Sequence, residues 1–87
     1  MLDAVEAIPP GRVASYSDLA GLVGRGGPRQ VGQVMARHGA AVPWWRVVHA
    51  DGSLIAGLEA RARAELEREG TPMRGDRIDM RRARFFL

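Results

Sequence analysis

The side chains with the most chemistry to offer in this sequence are Tyr16, Arg29 and the run Trp44-Trp45-Arg46. Cysteine is absent, which removes disulfides, thiolate metal sites and cysteine nucleophiles together. His38 and His49 have no cysteine beside them to complete a zinc set, so no metal or other cofactor is expected. An indole has no nucleophilic anion at neutral pH and no basic ring nitrogen. What it does offer is a broad polarizable face, and base–aromatic stacking is worth about 1–3 kcal/mol per base. A guanidinium can stack and donate hydrogen bonds at once, and a phenol can donate to a phosphate oxygen. Each group also has a plainer reading in isolation: a half-buried tyrosine ahead of a helix, a solvated helix-start arginine, and core tryptophans.

The positioning scaffold is small. At 87 residues, 46% of them hydrophobic, the chain has room for one domain, taken as 1–87, and not for a multidomain enzyme. All thirteen basic residues are arginine; against ten acids they leave a formal charge of +3 and a pI near 11.0. That balance favours anionic partners without separating nucleic acid from other polyanions. Apolar runs are short and the first twenty residues lack an export-type pattern, so the expected location is intracellular, in the cytoplasm, with no membrane partner.

Apolar Leu2, Val5 and Ile8 suit a short helix stopped by Pro9-Pro10-Gly11. Ser17 with Asp18, ahead of Leu19, Leu22 and Val23, reads as a capped helix start. Gly24-Arg25-Gly26-Gly27 ends that helix, and Pro28 opens a second one running to Arg37 or His38, with Gly39 as its C-cap. Val31, Val34 and Met35 form the apolar side of this second helix, which leaves Arg29, Gln30, Gln33 and Arg37 for the other. The pair has a helix-turn-helix pattern, which by itself is equally compatible with plain helix packing.

Val42 to His49 is a β-prone apolar run closed by the Asp51-Gly52 turn signal. If it is a strand, the adjacent indoles point to opposite faces, Trp44 toward a ligand and Trp45 into the core. Leu58 to Glu69 alternates in charge around a stripe of Leu58, Ala62 and Leu66 and reads as a surface helix, capped by Gly70 and ended by Pro72. The arginines at 74, 77, 81, 82 and 84 either extend a phosphate-binding strip or belong to a flexible arginine-rich tail, 74–87, whose aromatic end packs back on the core.

Three segments taken together are far more specific: Ile8-Pro9-Pro10-Gly11-Arg12-Val13-Ala14-Ser15-Tyr16, then Arg29-Gln30-Val31-Gly32-Gln33-Val34-Met35, then Pro43-Trp44-Trp45-Arg46-Val47-Val48. In this order and spacing, over about residues 1 to 70, the chain resembles the alkyltransferase-like proteins, relatives of the DNA-binding domain of O6-alkylguanine-DNA alkyltransferase. The resemblance implies a mainly α domain with a short β segment, a single helix-turn-helix of winged-helix-like form. In the repair alkyltransferases the matching Pro-Cys-His-Arg-Val motif carries the thiol that takes the alkyl group and the histidine that activates it. Here Trp44 stands in place of the cysteine and Trp45 in place of the histidine, so neither nucleophile nor base is present.

By the same resemblance Tyr16 rotates the target nucleotide outward and Arg29 fills the vacated space in the base stack. Gln30 and Gln33 join them on the DNA-facing surface. Tyr16, Trp44, Trp45, Arg46 and Val47 build or support a lesion pocket, which the Ser53 to Gly57 loop closes on one wall. His38 falls where the family often has asparagine, and minor-groove entry of the second helix is likewise implied by resemblance alone. The expected function is a non-enzymatic sensor. It binds double-stranded DNA containing O6-alkylguanine as a monomer, flips the damaged nucleotide and flags it for nucleotide excision repair proteins. A sequence-specific helix-turn-helix regulator is the alternative.

Overall fold

A computed structural model describes residues 2–23 and 42–86. The second helix expected from Pro28 to Arg37 or His38, with its flanking glycines, lies outside the described residues. α1 (Leu2–Glu6) presents Val5, and Ile8 follows it; both are fully buried, which accounts for the apolar spacing. Arg12 N–H donates to the Pro9 carbonyl at 3.1 Å, and Gly11 between them takes φ +85. Proline second and glycine third in a four-residue turn suit that backbone, since only glycine adopts positive φ cheaply.

The turn delivers the chain into β1 (Ala14–Ser15) and then directly into α2 (Tyr16–Val23). The helix begins two residues earlier than a Ser17 cap requires. Ser15 Oγ accepts from the Asp18 N–H at 3.0 Å and Asp18 Oδ2 accepts from the Ser15 N–H at 3.3 Å. This reciprocal pair satisfies two otherwise orphaned donors, so Ser15 is the cap and Tyr16 the first helical residue.

The apolar run before His49 is only partly a strand. Pro43 (φ −73, ψ 71) sits in an inverse γ-turn, with Trp44 N–H donating to the Val42 carbonyl at 2.7 Å. Trp44–Arg46 then coil into one 3-10 turn, and only Val47–Val48 form β2. β2 pairs in parallel with β1, Ala14 opposite Val47 and Ser15 opposite Val48. Beyond β2, the His49–Gly52 turn leads to α3 (Glu59–Arg68). Ala62 and Leu66 are buried on its inner side, but Leu58 is 39% exposed. Leu58 occupies the non-helical cap position (φ −128, ψ 20), which takes its side chain off the buried stripe. Gly70, at φ +75, ends the helix as its position suggests.

The arginine-rich segment has defined structure over the described residues. β3 (Met73–Arg74) and β4 (Arg77–Ile78) form an antiparallel hairpin, and α4 (Met80–Ala83) follows, capped by Asp79. Gly75, at φ +65, supplies the first position of the two-residue hairpin loop. Val13 N–H donates to the Ala83 carbonyl at 3.0 Å and the Val13 carbonyl accepts from Phe85 N–H at 2.8 Å, so residues 83–85 lie alongside Val13, just ahead of β1.

The interior divides in two. Val5, Ile8, Ala14, Leu19 and Val47 belong to one apolar cluster; Val13, Val48, Leu66, Ile78 and Ala83 belong to another. Trp44 and Ile55 pack against both.

Candidate nucleic-acid interface

Tyr16 leads α2 and is only 7% exposed, its ring 5.1 Å from that of His49 and tilted by 43°. Burial pushes its phenol above the ordinary value of 10.0, so the hydroxyl stays protonated and able to donate at neutral pH. Trp44 is half-buried at the seam of the two clusters, and it meets Trp45 edge to face, 5.8 Å between centroids at 84°. Placing the indoles on opposite faces of a strand is therefore incorrect: the 3-10 turn puts adjacent side chains next to each other. The Arg61 guanidinium from α3 lies 5.7 Å from the Trp44 ring centroid, within cation–π range.

Trp45 and Arg46 are held instead by Glu69, at the C-terminal end of α3. Trp45 Nε1 donates to Glu69 Oε2 at 3.1 Å. Arg46 Nε donates to both Glu69 oxygens at 3.1 and 3.2 Å, its Nη2 pairs with the same carboxylate, and its Nη1 donates to the Ile8 carbonyl at 2.9 Å. Both partners of this ion pair have side chains only 13% exposed. Burial alone would raise the Glu69 carboxyl, but hydrogen bonds from Arg46 and Trp45 outweigh it and hold it below its ordinary 4.5. These two residues brace the 3-10 turn against the end of α3 and against the loop after α1. Val47 is buried in the β ladder, a support beneath the turn with no surface of its own.

Ser53 N–H and Oγ both donate to Asp51 Oδ1, at 2.9 and 2.7 Å. Ser53 also lines a depression of about 390 Å³ with Glu59, Arg63, Asp76 and Arg77, and neither Tyr16 nor Trp44 borders it. Gly57 takes φ +84 ahead of α3 with open space at its Cα. Tyr16 and Trp44 thus share one apolar cluster, while Ser53 belongs to another surface. Arg29, Gln30, Gln33 and His38 lie outside the described residues. The roles of Glu69, Arg61 and His49 were not apparent from the sequence. Glu69 and Arg61 look there like members of a solvated Glu/Arg helix face, and only the packing of α3 on the 3-10 turn singles them out.

The family profile described as "6-O-methylguanine DNA methyltransferase, DNA binding domain" matches residues 1–71. The chain belongs to that family, and it is an alkyltransferase-like member. It is 40% identical, in an alignment of 87 positions that covers 93% of its own length and 67% of the relative's, to a protein of Escherichia coli named DNA base-flipping protein. It is 41% identical over 75 residues to Alkyltransferase-like protein 1 of Schizosaccharomyces pombe, covering 78% of this chain and 69% of that one. Among solved structures it superposes on S. pombe Atl1 in complex with damaged DNA containing O6-carboxymethylguanine, with a TM-score of 0.81 and 31% identity, over 97% of this chain and 89% of that one. A second match, S. pombe ATL in complex with DNA, has a TM-score of 0.71 at 38% identity, over 84% and 74% of the two chains. The mainly helical domain with short strands is thereby shown to be the fold of these DNA-binding relatives.

Proposed function

We propose that this chain binds duplex DNA carrying O6-alkylguanine, turns the damaged nucleotide out of the stack into a pocket bordered by Trp44, and marks it for nucleotide excision repair without transferring the alkyl group. The observation that carries this reading is Trp44: half-buried at the reactive cysteine's motif position, in a chain with no cysteine anywhere. An indole there cannot accept an alkyl group by displacement, yet its face can stack on a base. A base inside a duplex hides the O6 substituent, so a protein that senses it gains from extrusion. Alkylation weakens the pair and lowers the cost of flipping. The names of the relatives, a base-flipping protein and an alkyltransferase-like protein, and the damaged-DNA complex of one of them support the same reading.

In this scheme Tyr16 offers its protonated hydroxyl to a phosphate beside the rotated nucleotide, Arg29 fills the gap in the stack, and Gln30 and Gln33 hold the flanking DNA. Trp45, Arg46 and Val47 act by keeping the Trp44 turn rigid, and one copy of the chain suffices. The test is fluorescence binding to matched duplexes with and without O6-methylguanine. Tighter binding of the lesion duplex is expected, weakened by Arg29→Ala by about 1–3 kcal/mol through lost stacking. Equal affinities for the two duplexes overturn the sensing role. Alkyl label appearing on the protein overturns the non-enzymatic one.

A further inference from the structure

Residues 74–84 hold five arginines and two aspartates, and their side chains are engaged unequally. Arg84 is bound to Asp18, Nη2 to Oδ1 at 2.5 Å and Nε to Oδ2 at 3.1 Å. Arg77 stands 3.7 Å from Asp51, a loose exposed pair. Arg74, Arg81 and Arg82 are exposed and make no ion pair among the described residues. Arg74, Arg77 and Arg81 converge on a depression of about 370 Å³, whose carboxylates belong to Asp51 and Asp79. Both acids already serve the backbone: Asp51 accepts from Ser53 N–H and Oγ, and Asp79 caps α4 by accepting from Arg81 N–H at 3.2 Å. The neighbouring 390 Å³ depression differs, because its Arg63 is tied to Glu67 and to the Gly75 carbonyl.

The arginine depression is also firmly fixed to the rest of the domain. Ile78 N–H donates to the Gly52 carbonyl at 2.9 Å, and a Cβ at Gly52 would lie 2.4 Å from the Ile78 oxygen, so hairpin and turn meet backbone to backbone. Ala50 and Asp51, on the rim, directly follow His49, whose ring lies against Tyr16.

We propose that this depression seats backbone phosphates of the bound duplex, a contact separate from the lesion pocket and indifferent to the lesion. The inference rests on the reading of the chain as a duplex-DNA binder. The exposed guanidiniums of Arg74 and Arg81, without ion-pair partners among the described residues and carried on an anchored backbone, are suited to phosphate oxygens, and a phosphate contact adds affinity through counterion release without reading sequence. The hairpin and α4 thus extend the DNA footprint beyond the helix pair.

The test compares Arg74→Gln/Arg81→Gln with wild type on unmodified and O6-methylguanine duplexes over a salt series. Both duplexes should bind about tenfold more weakly by the same factor, and the slope of log affinity against log salt should fall by about 2. Arg74→Lys/Arg81→Lys should retain most of the slope. Arg63→Gln/Arg68→Gln, which removes the same charge elsewhere, should leave it intact. An unchanged slope in the glutamine pair, an equal drop in the control pair, or a loss confined to the lesion duplex each overturns the proposal. If wild type binds both duplexes equally, lesion sensing falls while the slope still decides this contact; if it binds neither, both readings fall. Should the glutamine pair fail to fold by circular dichroism, Arg81→Gln alone decides, with a slope change of about 1 expected.

Discussion

The 3-10 turn at Trp44–Arg46 and the arginine-rich segment at 74–84 both carry guanidiniums beside apolar side chains, yet they use charge in opposite ways. Arg46 is turned inward, its donors taken up by the Glu69 carboxylate and the Ile8 carbonyl. Arg74 and Arg81 are turned outward around a depression whose acids are already occupied. A buried, fully hydrogen-bonded pair fixes geometry, because removing one partner strands the other in a poorly solvated place. An exposed guanidinium contributes little to stability and remains available to an anion. Between these extremes lies α3, where Arg63 pairs with Glu67 and Arg68 with Glu65 on the exposed surface. A net charge of +3 therefore says little about binding until each arginine's partner is known.

The contrast breaks most sharply at Glu69. Glu69→Ala leaves Arg46 half-paired and Trp45 Nε1 unbonded, and should lower unfolding free energy by about 3 kcal/mol in urea titrations. A loss no larger than that of a surface pair removes the bracing role. Gly52→Ala should follow, at about 2–3 kcal/mol, because positive φ and contact with the Ile78 backbone both oppose a Cβ. Weakened salt dependence of DNA binding in that variant would join the hairpin to the phosphate contact. Asp18→Asn, which weakens both the Ser15 N–H bond to the Asp18 side chain and the Arg84 tie, should cost about 1 kcal/mol by thermal melting.

Acid sharpens the same comparison. Folding holds the Glu69 carboxyl below its ordinary 4.5, so its stabilisation is complete above that pH and is lost as pH falls through the folded value. The melting-temperature gap between wild type and Glu69→Gln should accordingly be wide at pH 7 and narrow progressively as pH falls below the ordinary 4.5 toward the folded value. Arg81→Gln, at the bottom of the scale, should change stability by less than about 0.5 kcal/mol while altering DNA binding.

Much of the fold was legible locally. The spacing of Val5 and Ile8, the Pro10-Gly11 turn, the Asp51-Gly52 turn and the Gly70 helix end all depend on neighbours within a few residues. The misreadings share a cause. Val42 to His49 looks like a strand because apolar β-prone residues dominate it, but Pro43 bends the chain and Trp44 and Arg46 close local hydrogen bonds instead. Ser17 resembles a cap until Ser15 is seen to exchange bonds with Asp18. The arginine-rich segment shows no period because a two-residue strand and a single helical turn are too short to produce one.

Residue types and order determined the family, the lack of any thiol and the presence of aromatic surface where a reactive group would stand, since these are properties of side chains and motif spacing alone. The tertiary structure decided which arginines are occupied and which are available, and that Glu69 braces Trp45 and Arg46 from more than twenty residues away. Hydrogen-bond partnership is a matter of distance and direction in space, and only the packing of α3 and the hairpin on the β1–β2 seam brings those groups within reach.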